Sequence, residues 1–221
     1  MRVLVACEES QRVCTEFRRL GHEAYSCDIE PCSGGHPEWH IQSDVLPLLN
    51  GNCEFQTVDG ITHRIDRKWD MIIAHPPCTY LSNAGAAWLY PQKGILNQER
   101  YEKGLKAKEF FMQFYNADCE KIAIENPIPT RVFELPKYNQ IIQPYEFGHP
   151  YSKKTCLWLK NLPKLHPTDI IGGEITPWVA SGSGHARGKS GTNFRDAKTR
   201  AKTFPGIAKA MAEQWGGKVV E

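Results

Sequence analysis

The run Trp69-Asp70-Met71-Ile72-Ile73-Ala74-His75-Pro76-Pro77-Cys78 decides the fold. Residues 71 to 74 are apolar with a β-branched centre, the composition of a strand buried on both faces, and the two prolines then end the ladder and fix the backbone. A cysteine is thereby delivered at the carboxyl edge of a strand, where open α/β sheets place their chemistry. A second run, Lys121-Ile122-Ala123-Ile124, ends in Glu125-Asn126-Pro127. One sheet edge is therefore expected to carry a thiol and a carboxylate.

Outward from these two strands, strand and helix signals alternate, the pattern of a parallel sheet with helices on both faces. A strand over 2–6 leads into a helix from Ser10 to Leu20, with Ser10 as its cap, Val13, Phe17 and Leu20 on one face, and Gly21 in the left-handed terminating position. The next strand, 23–27, finishes at Asp28, and a short one, 40–43, finishes at Asp44. Residues 50–67 read as an inserted hairpin around Asp59-Gly60. A helix follows from about Asn97 to Tyr115, carrying Tyr101, Leu105, Phe111 and Phe114, then strands near 140–143 and 155–159. Residues 203–215 suit a packed amphipathic helix. The fold class expected is a single α/β domain over 1–221.

At 221 residues the chain is long enough to bury a full core. Its 27 Lys plus Arg against 25 Asp plus Glu leave +2, so a polyanion would have to be met by a local patch. The opening Met1–Ala6 reaches Glu8 and Glu9 at once and reads as a strand, not a signal peptide. No stretch approaches the ~18 to 20 apolar residues of a membrane span. A cytoplasmic monomer without a membrane partner is expected. The eight cysteines are scattered and read as reduced thiols. Cys27, Cys32, His36 and His40 form one cluster of zinc-ligand types, but the spacing matches no closed finger, and Pro31, Gly34, Gly35 and Pro37 read as a turn-rich loop. No metal is expected.

Pro76-Pro77-Cys78 and Glu125-Asn126-Pro127, in this order and separation, resemble the DNA cytosine-5 methyltransferase family, its short phage-type members most of all. The resemblance covers residues 1 to about 160 and a segment near the C-terminus. It implies a Rossmann-like methyltransferase sheet, S-adenosylmethionine as cofactor and DNA, duplex or single-stranded, as partner. It makes Cys78 the nucleophile that adds to C6 of cytosine, which needs a thiol of lowered pKa near basic groups, and Glu125 the group that holds or protonates N3. Donor contacts are implied for Ala6, Cys7, Glu8 and Ser10 in the first loop, for Asp28 and Ile29, for Asp44 and Val45, and for Pro76. Substrate contacts are implied for Pro77, Ser82, Asn126, Pro127, Lys153, Lys154 and Arg187, with Asn126 ordering the loop beneath the base.

The chain departs from the family in three places. Ala6-Cys7-Glu8-Glu9-Ser10 stands where the family has a glycine-rich turn. Tyr151, Lys153 and Thr155 stand where it has a glutamine and two arginines, and lysine brings charge without a planar fork. A short basic region, 160–202, replaces a full recognition domain; its Ser181–Gly191 stretch with Arg195, Lys198, Arg200 and Lys202 suits phosphate contacts, which carry no sequence information. The loop over 79–90 reads as a lid over a flipped base, with Trp88 and Tyr90 either stacking on it or anchored in the core. Three other readings stay open: a modified donor such as carboxy-S-adenosylmethionine, an inactive DNA-binding homologue, and a zinc deaminase, of whose motifs His75-Pro76-Pro77-Cys78 supplies one fragment.

Overall fold

The computed structural model describes residues 1–178 and 197–219. Its centre is a seven-stranded sheet formed by β1 (Arg2–Ala6), β2 (Glu23–Asp28), β3 (His40–Gln42), β6 (Met71–Ala74), β7 (Lys121–Pro127), β8 (Gln140–Ile142) and β10 (Thr155–Lys160), in the order β3-β2-β1-β6-β7-β10-β8. The first five strands in that order are parallel, and β10 runs antiparallel to both β7 and β8. The chain therefore builds outward from β1 to β3, returns to β6 on the other side of β1, and continues outward. That reversal makes the gap between β1 and β6 a topological switch point, the place where open α/β sheets hold their ligands.

Side chains alternate between two cores. Leu4, Ala6, Ile72, Ala74, Ile122 and Ile124 pack on one face, against Phe111 and Phe114 of α2 (Gln98–Tyr115) and against Phe55 and Ile65 of the hairpin β4 (Cys53–Gln56) and β5 (Thr62–Ile65). Val3, Val5, Met71, Ile73 and Ala123 pack on the other face, against Val13 and Phe17 of α1 (Arg12–Arg19) and Ile207, Ala208 and Met211 of α4 (Pro205–Met211). Helices thus cover both faces, as the alternating sequence pattern predicts. α2 takes Asn97 as its cap, whose side chain accepts from the Arg100 amide, and Gly104 lets the Phe133 ring sit against the helix where a Cβ would lie 2.0 Å from Cζ. Leu105 is 38% exposed.

The start of α1 differs from expectation. Ser10 does not cap it. Gln11 occupies the cap position with φ 56°, and the Glu8 carboxylate reaches forward to accept from the Val13 amide at 2.6 Å and the Cys14 amide at 3.2 Å. A carboxylate spanning two free amides at a positive helix end is a stronger cap than a serine hydroxyl. α1 ends as expected, with Gly21 at φ 87° donating to the Arg18 carbonyl. The small parallel pair β9 (Tyr151–Ser152) and β11 (Thr176–Pro177), and α3 (Ala197–Ala201), lie outside the sheet. Among the described residues no helix is long and apolar enough to cross a membrane.

Candidate active site

Strand register lines up the carboxyl edge. Ala6 pairs with Cys27 and with Ala74, and Ala74 pairs with Ile124, so the next residues, Asp28, Cys7, His75 and Glu125, stand in one row across four strands. His75 donates its amide to the Ala6 carbonyl, which extends the row one residue past β6 before Pro76 ends it.

Glu125 and His75 meet in that row. His75 Nδ1 lies 2.7 Å from Glu125 Oε2, and the Thr203 hydroxyl donates to the same oxygen at 3.3 Å. Burial raises the Glu125 carboxyl, but the His75 hydrogen bond and charge, with Lys153 and Thr203, outweigh it and hold the pKa below the usual carboxylate range. Burial pushes His75 down, but Glu125, with the charge of Glu8, holds it above the ordinary imidazole value against the opposing charge of Lys153. Both shifts favour the charged pair, imidazolium beside carboxylate. Sequence reasoning missed it, although both residues precede proline stops at the same height.

Cys78 follows Pro76 and Pro77 in a tight turn in which its carbonyl accepts from the Leu81 and Ser82 amides. Asn126 Nδ2 donates to the Pro76 carbonyl at 2.8 Å, tying this turn to β7, while Asn126 Oδ1 is buried without a partner among the described residues. Pro77 is exposed, Ser82 buried and Pro127 half-buried. Arg100 braces the turn by donating to the Thr79 carbonyl at 2.8 Å and lying over the Tyr80 ring. The thiol departs from expectation. Lys153 and Arg200 draw its pKa down, but burial and the Glu125 charge raise it further, so the resting group is a thiol.

Lys153 directs Nζ to the Arg200 carbonyl at 3.0 Å, and Lys154 is exposed. Lys202 donates to Ser33 Oγ and lies 3.5 Å from Glu9; Lys198 pairs with Glu30. Arg12 donates to the Thr203 carbonyl. Residues 198–203 thus cross the carboxyl edge as a basic strap, a grouping of Thr203 with Glu125 that no motif in the sequence signals. Arg187 and Arg195 lie outside the described residues. Trp88 and Tyr90 are not core anchors: they are 60% and 45% exposed, and Trp88 lines a cavity of about 230 Å³ with Tyr80, Arg100 and Lys103.

On the donor side, Ala6 and Pro76 are buried beneath the edge, and Cys7 takes φ 58° to turn the chain out of β1. Both Glu8 oxygens serve α1; burial, only partly offset by His75, the two amides and Arg12, pushes its carboxyl up to about 7. Ser10 is buried against Gly34, where a Cβ would collide with Gln11 and the Ser10 carbonyl. The Glu8 side chain therefore shapes the first loop from within, its oxygens committed to α1. Asp28 is half-buried, with one oxygen accepting from the Glu30 amide, and burial raises its pKa. Ile29 beside it is 74% exposed, Asp44 is exposed, and Val45 is buried. The cysteine and histidine cluster is dispersed: His40 bonds Ser26 and the Glu30 carbonyl, His36 bonds Glu38, and Cys27 points at the Ser43 carbonyl.

No protein-family model matches this chain, and no curated protein matches it. Two solved structures are similar in part. A candidate DNA modification methyltransferase encoded within an E. coli prophage is 14% identical, with a TM-score of 0.43 over 79% of this chain and 53% of that one. The Entamoeba histolytica methyltransferase EhMeth is also 14% identical, with a TM-score of 0.40 over 77% of this chain and 57% of that one. The chain spans little more than half the length of either, and likeness at this level carries no weight for chemistry.

Proposed function

We propose that this protein transfers a methyl group from S-adenosylmethionine to C5 of cytosine in DNA through a covalent adduct at Cys78. The observation that carries the reading is the meeting of two chemistries at one sheet edge: a cysteine held just past β6, at the switch point, and a buried carboxylate in register on β7.

The residues of the first three strands suit the donor. Asp28 keeps one carboxylate oxygen uncommitted beside the exposed Ile29, a match for a ribose hydroxyl and the face of a purine. Among the described residues Glu9 Oε2, in the loop after β1, is buried without a hydrogen-bond partner, and S-adenosylmethionine carries two positive centres, a sulfonium and an ammonium. Asp44, Val45 and Pro76 complete the donor set. When bound, the donor supplies an electrophilic methyl carbon.

The chain does the rest. Cys78 releases its thiol proton to solvent and Sγ adds to C6, the ring electrons move toward N3, and Glu125 meets the developing charge there. C5 becomes an enamine carbon able to take the methyl; loss of its proton and departure of Cys78 restore the aromatic ring. Asn126 fixes the height of the Cys78 turn. A base paired in a duplex cannot reach this edge, so the cytosine is flipped or single-stranded, with the exposed Trp88 on the neighbouring lid segment. Lys153, Lys154 and Arg200 lie on the same side and suit phosphates, which favours short or relaxed sequence recognition.

The test is incubation of the protein with mixed-sequence DNA and S-adenosylmethionine, digestion to nucleosides and mass analysis, with Cys78→Ala alongside. A deoxycytidine gaining one methyl, absent with the variant, is the expected result. An added carboxymethyl on DNA from expressing cells would replace the donor with carboxy-S-adenosylmethionine, and unmodified cytosine in both settings would overturn the reading.

A further inference from the structure

His75 belongs to none of the implied roles, yet it is the residue most closely tied to Glu125. Met71, Ile73 and His75 share one face of β6 and its extension, as Ala123 and Glu125 share one face of β7, and the register Ala74 to Ile124 sets the last two side by side. Their side chains are 11% and 9% exposed. Oε2 of Glu125 takes both donors, Nδ1 of His75 and the Thr203 hydroxyl, while Oε1 receives no hydrogen bond among the described residues. The carboxylate is held by one edge with its other oxygen uncommitted. Among the described residues His75 Nε2 is buried without a partner, whereas an imidazole retained for packing alone normally has both nitrogens satisfied.

We propose that His75 is the positioning residue of the acid in this site and the store of the proton that Glu125 hands to the base. The proposal rests on the cytosine-methylation reading above. In the addition step the bond from Cys78 Sγ to C6 forms, the C5–C6 π pair becomes the C4–C5 π pair, and the former N3–C4 π pair moves onto N3. Cys78 loses its thiol proton to solvent before the bond forms. His75 Nδ1 gives its proton to Glu125 Oε2, and the neutral carboxyl, rotated about its Cγ–Cδ bond, gives that proton to N3. The thiolate charge is spent in the new bond, the imidazolium becomes imidazole, and Glu125 ends as the carboxylate it began as, so charge balances. When the cysteine departs, the N3 proton returns by the same route. The charged groups facing the pair are Glu8 from the first loop, Lys153 before β10, and Arg12 of α1 beside Glu8; Thr203 contributes its neutral hydroxyl.

Two measurements test this on the full chain. The first is the single-turnover rate of adduct formation with 5-fluorocytosine DNA and S-adenosylmethionine, across pH, for wild type, His75→Asn and His75→Ala. Asn keeps a neutral donor near Nδ1 but holds no transferable proton. At low pH the wild type should exceed His75→Asn by about 100-fold, within the usual range for general acid catalysis, and His75→Ala should be slower still. The thiol's titration enters both rates alike. The ratio of wild type to His75→Asn should therefore be constant below the pKa of His75 and fall tenfold per pH unit above it. The second is histidine NMR of the free protein, in which Glu125→Gln should lower the pKa of His75. Equal rates and parallel pH profiles for wild type and His75→Asn would overturn the proton role. A His75 pKa unmoved by Glu125→Gln would overturn the pairing. Absence of any Cys78-dependent adduct from wild type, with the NMR coupling intact, would instead overturn the methyltransfer reading and with it this role.

Discussion

Glu8→Gln offers a direct measure of how the first loop is built. In the native protein the Glu8 side chain is 4% exposed, accepts from the Val13 and Cys14 amides, and has its pKa pushed up from 4.5 to about 7 by burial. A carboxyl whose native pKa lies above its unfolded value keeps a proton that the unfolded chain has already lost. Stability therefore falls as pH rises from about 4.5 to about 7, by roughly 3 kcal/mol at 1.36 kcal/mol per pKa unit, and is level on either side. Glutamine cannot ionise. Its amide can accept from only one of the two helix amides, a loss of about 1–3 kcal/mol that does not vary with pH. The variant should be the less stable form at pH 5, and the gap should narrow by roughly 3 kcal/mol by pH 8, to parity or reversal. His75, whose pKa is raised, also contributes stability that is complete at acid pH and lost as pH rises through its folded value. Because the Glu8 charge itself helps to raise His75, the two proteins are compared in a His75→Asn background, where Glu8 is the member of the pair left to titrate. Urea unfolding at pH 5, 6, 7 and 8 with a constant m-value supplies the difference between them. A difference constant to within about 0.5 kcal/mol across that range would show that Glu8 is ionised throughout and that burial does not govern it.

Other substitutions probe separate parts of the edge. Lys153→Ala removes the largest influence drawing the Cys78 thiol down, so the pH midpoint for alkylation of Cys78 by iodoacetamide should move up; an unchanged midpoint would detach Lys153 from the nucleophile. Asp28→Asn should weaken S-adenosylmethionine binding about tenfold or more in calorimetry, the loss expected of a charged hydrogen bond, with no effect on the melting of the free protein beyond about 1 kcal/mol. Gly104→Ala places a Cβ 2.0 Å from Phe133 Cζ and should destabilise by about 1–3 kcal/mol in thermal melts, since the ring must move to admit it.

Most of the sheet could be read from the chain because its strands are short apolar runs closed by hard stops. Met71–Ala74 and Lys121–Ile124 each end at a polar residue and proline, and buried parallel strands tolerate little else. The helix bounds were legible where a cap or a glycine marks them, as at Asn97 and Gly21. The cap of α1 was not, because Ser10 has the right residue type at the right distance. What decides against it is that Gln11 adopts φ 56°, which turns the first free amides toward Glu8, and nothing local in the sequence announces a left-handed glutamine. The same turn explains why two acids stand where a phosphate-cradling loop would have glycines. One of them is a helix cap, so only Glu9 remains to face a ligand.

The candidate site was legible only in half. A cysteine and a carboxylate at strand ends announce themselves by type; a histidine next to prolines does not. Its role depends on two facts that become available once the strand order is known: β6 and β7 are neighbours, and both side chains have the same parity from the shared pairing of Ala74 with Ile124. With those in hand, residue 75 must stand beside residue 125 on the face that α4 covers, and Thr203, immediately before α4, must come near both. That geometry also accounts for a raised Cys78 pKa beside two basic residues. Burial opposes the charged form of all three groups; His75 and Glu125 offset it in each other, whereas the thiolate also meets the Glu125 charge, which Lys153 and Arg200 do not outweigh. On the proposed reading, a cytosine bound at this edge would relieve nucleophile and acid at once, since it would accept the thiolate at C6 and the proton at N3.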